Sequence, residues 1–130
     1  MSPTKFEKYL PSGANSKVFG NLVCFEIKPT DLIRTCRALY AEHHLPLKII
    51  TAFDERKKSG AFKIMYVFGV PGDNLFIAPF IMAQTDFPSL TPAIHEASLY
   101  ERKIMTFFGL QPVGHPDPRT LILHENWPAD

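Results

Sequence analysis

The side chains best placed to do chemistry in this 130-residue chain gather near its end, in Gly114-His115-Pro116-Asp117-Pro118-Arg119 and again in His124-Glu125. His115, Asp117 and His124 are potential zinc ligands, and a zinc-bound water would make the chain a small metal-dependent hydrolase. Their spacing matches no metal motif, however, and the sequence contains no His-Glu-x-x-His. A loop fixed by prolines, with His115 and Arg119 hydrogen-bonding a partner's backbone or carboxylates, accounts for the same residues without a metal. Glu101-Arg102 is the other charged pair to place; a solvated helix pair is the default for surface charges, and an interface or buried-network pair is the alternative. Cys24 and Cys36 are the only cysteines and form no Cys-x-x-Cys pair. An iron–sulfur cluster normally takes four thiolates, so these two read as reduced, buried small side chains. No Gly-rich phosphate loop, nucleophile elbow or paired-carboxylate motif is present, and Asp86 and Glu96 have no evident partner.

The composition narrows the classes further. Hydrophobic residues make up 45% and charged residues 21%, the balance of a globular chain that can bury a core. A formal net charge of +1 supplies no field to recruit nucleic acid or an anionic membrane. Lys63 is the only basic residue in Ala61–Ala83, so the Phe-rich strands there read as core and not as a base-stacking sheet. No apolar run approaches the roughly 20 residues that span a bilayer, and Met1–Lys5 lacks a signal-peptide core. A cytoplasmic protein that can sit against a membrane complex is expected.

The elements that must position these residues follow from periodicity. A short helix is expected around Lys5–Leu10, then a loop through Pro11, Ser12, Gly13 and Asn15. Asn21–Lys28 reads as a strand, and Thr30 is placed to cap a helix from Asp31 to about His43, whose end the cationic His43-His44 pair complements. Leu47–Phe53, Ala61–Val70 and Leu75–Ala83 read as strands, with Asp54–Gly60 a hairpin loop between the first two. Phe62, Ile64, Tyr66 and Phe68 alternate with Lys63, Met65 and Val67, marking one better-buried face. Pro79 suggests an edge strand or a bulge.

Thr91 and Pro92 offer a cap and a first position for the last helix, and Gly109 closes it. Gln111–Pro118 should be extended and irregular, and Arg119–Leu123 a last short strand. The sum is one α+β domain over residues 1–130: a two-layer fold with a mixed sheet of about four to five strands against two to three helices. Residues 110–130 form its extended tail.

With these residues laid out, the stretch from Phe87 to Pro128 resembles the 30 kDa (C) subunit family of respiratory complex I and related hydrogenases. Glu101-Arg102, Phe108-Gly109-Leu110, Gly114-His115-Pro116, Arg119 and Leu121-Ile122-Leu123 carry the resemblance. The ending His124-Glu125-Asn126-Trp127-Pro128 is more similar to the membrane-bound nickel–iron hydrogenase branch, of the hydrogenase-4 and formate hydrogenlyase type. The motif-bearing part is about a third of the chain.

The resemblance implies a subunit without cofactor, metal or catalytic residue of its own. Such a subunit docks on the large subunit, of the 49 kDa or nickel–iron kind, beside an iron–sulfur subunit, peripherally on the inner face of the membrane. The partner-binding residues it implies are Glu101, Arg102, Phe108, Gly109, Gly114, His115, Pro116, Asp117, Arg119 and Leu121.

The chain departs from that pattern at Leu99, Lys103 and Thr106, where the family has Trp, Glu and Asp. At 100° per residue these three share one helix face, opposite an apolar stripe of Ala97, Tyr100, Ile104, Phe107 and Phe108. That altered face reads as a remodelled contact surface, lacking the acid that would pair with Arg102 from four residues on.

Overall fold

The computed structural model describes residues 4–11 and 13–116. Its centre is a five-stranded mixed sheet in the order β1-β2-β5-β4-β3, with helices against one face, so the architecture is α+β as the patterning predicts. Strand β1 is Ser16–Phe19, β2 Leu22–Glu26, β3 Leu47–Glu55, β4 Ala61–Gly69 and β5 Phe76–Ala83. β1 pairs antiparallel with β2, β2 runs parallel to β5, and β5, β4 and β3 form an antiparallel meander.

The alternation in β4 is decisive for the core. Phe62, Ile64, Tyr66 and Phe68 are buried on the helix side with Val23, Phe25, Ile77 and Ile81. Each such side chain withdrawn from water contributes about 2 kcal/mol, which is what seats the helices here. Leu32, Cys36 and Leu39 from the second helical stretch, and Ile104 from the last helix, join the same cluster. Both cysteines are free and buried, as their isolation in the sequence suggests.

Several expectations change in the structure. Ser16–Phe19 is an edge strand and not part of a loop; it is short and largely exposed, so no burial pattern announces it. The first helix, α1, is only Thr4–Glu7. The next helical stretch opens as a 3₁₀ turn at Pro29–Asp31, continues as α2 over Leu32–Arg37 and widens to a π turn at Ala38–Glu42. Thr30 therefore lies inside the 3₁₀ turn, Lys28 precedes it, and no side chain caps it; Pro29 supplies the fixed φ instead. β3 runs on through Asp54 and Glu55, and Arg56–Ser59 forms a single helical turn, α3, closed by Gly60 at φ 79°.

Pro79 lies in an interior strand, between β2 and β4, rather than at an edge. The paired residues of β4 and β5 skip Tyr66, opposite Pro79, and Val67, opposite Ala78, and resume in the same register. The missing proline N–H thus interrupts the ladder locally without a bulge.

The segment after the last helix is not irregular throughout. Gln111–Val113 (β7) pairs in parallel with Asp86–Pro88 (β6), placing Pro112 opposite Phe87. The bonds that close this pair, Gln111 N–H to Thr85 O at 3.0 Å and Ser89 N–H to Val113 O at 2.8 Å, need nothing from Pro112. The strand expected at Arg119–Leu123 lies outside the described residues.

Candidate functional site

The last helix, α4, runs from Ser98 to Phe108 after a 3₁₀ turn at His95–Ala97. Thr91 and Pro92 do not start it; they sit in a separate turn, and Ala93 and Ile94 N–H both return to Leu90 O. Gly109 does end it, at φ 73°, with its N–H bonded to Met105 O at 2.9 Å. The left-handed conformation is what a residue with Cβ resists there.

Glu101 is fully buried on the inner side of α4, in line with Ala97, Ile104 and Met105. A buried carboxylate must be matched by donors, and three are supplied by one short segment. Ser89 Oγ donates at 2.7 Å, Leu90 N–H at 2.6 Å and Thr91 Oγ1 at 2.8 Å. Thr91 N–H in turn reaches Ser89 Oγ at 3.3 Å, which tightens the loop around the carboxylate. The charge is felt nearby: burial first, then Glu101, raises the Cys36 thiol far above its ordinary range. Burial, then Cys36 and Glu101, does the same to the Tyr66 hydroxyl.

Gly114-His115-Pro116 folds back onto the start of α4. Gly114 takes φ 89°, His115 is buried, and its Nε2 lies 3.1 Å from Ser98 Oγ. His115 N–H also returns to Pro112 O at 3.2 Å. Glu101 and His115 are therefore internal braces at two levels of one helix, while Arg102 is half-buried and Phe108, Gly109, Gly114 and Pro116 are exposed around them. Asp117, Arg119 and Leu121 lie outside the described residues.

The outward side of α4 carries Leu99, which is 50% exposed, with Lys103 exposed and Thr106 half-buried beside it. Thr106 Oγ1 donates to Arg102 O at 2.8 Å, turning the hydroxyl to its own helix. The apolar stripe needs correcting: Phe107 is exposed, and Phe108 is partly so, with its edge against Phe62 at a centroid distance of 5.6 Å. Residue 101, not 107, occupies the centre of the inner face, because burial here tolerates a satisfied charge. Glu96 also has a partner, the Tyr40 hydroxyl at 2.7 Å, which lowers its carboxyl from the ordinary range.

The sequence assigns no bonding role to Ser89 or Ser98 and reads Thr91 as a helix cap, yet these three hydroxyls do the bonding. Two hydroxyls and an amide converging on one acid leave no motif, since the donors come from a loop ten to twelve positions away. Among the described residues, no three His, Cys, Asp or Glu side chains come together as a metal site. Of the alternative hydrolase set only His115 is described, and its Nε2 already meets Ser98.

Residues 25–130 match the family described as "Respiratory-chain NADH dehydrogenase, 30 Kd subunit". Hydrogenase-4 component G of Escherichia coli is 35% identical over 96 residues, 71% of this chain but 17% of that protein. Formate hydrogenlyase subunit 5 of the same organism is 31% identical over 80% of this chain and 19% of its own length. The chain thus spans less than a fifth of either relative. NADH-ubiquinone oxidoreductase subunit 9 of Reclinomonas americana is 29% identical, over 90% of this chain and 58% of that one.

Among solved structures, a chain of the archaeal membrane-bound sulfane sulfur reductase superposes with a TM-score of 0.71 at 20% identity, covering 96% of this chain and 72% of that one. A trypsin-resistant fragment of Nqo5 gives a TM-score of 0.67 at 19% identity, over 86% of this chain and 95% of the fragment. The match over residues 25–130, most of its length, places this chain in the respiratory-chain NADH dehydrogenase 30 kDa subunit family.

Proposed function

We propose that this chain is a non-catalytic accessory component that docks on and stabilises the large subunit of a complex I-like oxidoreductase or membrane-bound hydrogenase. One observation carries the reading: the chemically capable side chains of the described motif are occupied in bracing it. Glu101 is satisfied by three internal donors and His115 by Ser98, while the exposed positions around them are glycine, proline and aromatic residues. Such a site keeps a shape; it does not poise a nucleophile or a base. The family match supports the kind of assembly, and the hydrogenase-4 and formate hydrogenlyase relatives favour the hydrogenase branch.

In this reading Arg102, Phe108, Gly109, Gly114 and Pro116, with Asp117, Arg119 and Leu121 beyond them, meet the partner. Glu101 and His115 hold that surface in place. The neighbouring iron–sulfur subunit is a second contact, and the assembly sits peripherally on the inner face of the membrane. No helix among the described residues is long and apolar enough to cross a membrane, which is consistent with attachment through other subunits.

The test is co-expression with the hydrogenase-type or complex I-type large subunit from the same genome, followed by size exclusion and metal analysis. Co-elution is expected, with no stoichiometric metal in the isolated chain. Persistent failure to co-elute would sink the docking role, and a stoichiometric metal would revive the hydrolase built on His115, Asp117 and His124.

A further inference from the structure

The described helices serve only one face of the five-stranded sheet. Phe6, Leu32, Leu39 and Ile104 all belong to the larger core. The opposite face has its own small cluster, Cys24, Met65 and Ala78, flanked by Leu22, Val67 and Phe80, with no helical residue in it. Sheet register carries this face to both edges, because directly paired residues point the same way. Phe19 stands beside Leu22, Ile49 beside Val67 and Phe53 beside Lys63. These three are 62%, 44% and 45% exposed. A sheet face left to water ordinarily carries mainly polar side chains, whereas this one sets Phe19, Ile49, Phe53, Val67 and Phe80 among its charges.

The charges on the same face are unbalanced. Lys17 pairs beside Cys24, and Lys63 holds its Nζ 4.2 Å over the Phe80 ring. Lys58 joins these two lysines around a cavity of about 420 Å³ lined also by Cys24 and Phe80. The Lys48 stem crosses Gly69, where an added Cβ would meet Lys48 Cε at 2.8 Å. Against Lys17, Lys48, Lys58 and Lys63 stand Glu26, which lines the cavity, and Glu55, on this face by register.

We infer that this open sheet face is a second docking surface, which takes an apolar segment of the large subunit flanked by carboxylates. The inference rests on the docking role proposed above and adds where, and by what chemistry, the partner is held. Charge argues against a second copy of this chain as occupant, since stacking the face on itself would set lysines against lysines. Continuity argues for the same partner that meets the α4 end. Met82 lies on the open face opposite Lys63, and a cleft of about 760 Å³ is lined by both Met82 and Val113, directly before the Gly114-His115-Pro116 turn.

The experiment uses the full chain co-expressed with the large subunit. Phe19→Asp, Phe53→Asp and the pair Lys17→Glu with Lys63→Glu should each weaken association about tenfold or more, with an unchanged melting curve. The double lysine variant should also flatten the salt dependence of binding. Ile33→Asp, on the helix-covered side, serves as the control and should bind normally. Undiminished binding by the open-face variants, with wild type co-eluting, overturns this inference and leaves the docking role intact. A wild-type chain that never co-elutes overturns both. An isolated chain that is dimeric by light scattering, and monomeric as Phe19→Asp, names a second copy as the occupant and overturns the inference.

Discussion

The Leu90 amide N–H donates to Glu101 Oε2 at 2.6 Å, so a turn of loop and a turn of helix are joined through one buried carboxylate. Removing that acceptor strands the Leu90 N–H and the Ser89 and Thr91 hydroxyls in the interior. Glu101→Ala should therefore cost about 3 kcal/mol, read by urea unfolding. Glu101→Gln, which presents an amide donor to a nest of donors, should not restore it. Full stability in Glu101→Gln would mean that the charge is dispensable there.

Tyr66 poses the opposite case. Its ring is wholly buried, and its hydroxyl has no hydrogen-bond partner among the described residues. Tyr66→Phe removes the orphaned hydroxyl while keeping the ring, so stability should rise by about 1 kcal/mol. A clear loss on thermal melting would instead point to a bound water at that hydroxyl.

Gly109 and Gly114 separate conformation from space. Both have φ above +70°, and an added Cβ would touch nothing within 4 Å at either. Gly109→Ala and Gly114→Ala should each cost about 1 kcal/mol in chemical denaturation, from backbone strain alone. The larger effect of Gly114→Ala should be on co-elution with the large subunit, because it re-aims His115 and Pro116.

Asp54 reports the β3–α3 junction. Arg56 bonds it with two side-chain nitrogens at 2.9 and 2.8 Å and with its backbone N–H at 3.1 Å, and these bonds, side-chain first, hold the carboxyl down to about 2. The folded value lies below the ordinary carboxylate range, so the stabilisation is complete above that range and is lost as pH falls towards 2. Carboxyl-carbon NMR should show Asp54 still ionised at about pH 3, and titrating in the ordinary range in Arg56→Gln.

What could be read from the sequence was what repeats or what one residue dictates. The period of two in Phe62–Phe68 located β4 and its buried face, and Gly109 located the end of α4. The misses share a cause: tertiary bonds overruling local preference. Thr91 resembles a helix cap, yet its hydroxyl serves Glu101. Gln111–Val113 looks irregular because of Pro112, yet its neighbours make the bonds. Phe107 fits an apolar stripe by angle, and only the position of Glu101 shows that the inner face is turned elsewhere.

The parallel seam between β2 and β5 also sets the order in which this fold can be reached. β1 with β2, and β3 with β4 and β5, are hairpin neighbours that can close locally, whereas Cys24 must find Ala78 across the whole intervening meander. Loop-closure entropy makes that late meeting the slow event, so two preformed halves await one rate-limiting zipping step. Trimming the seam, as in Val23→Ala, should slow refolding in stopped-flow measurements more than it speeds unfolding.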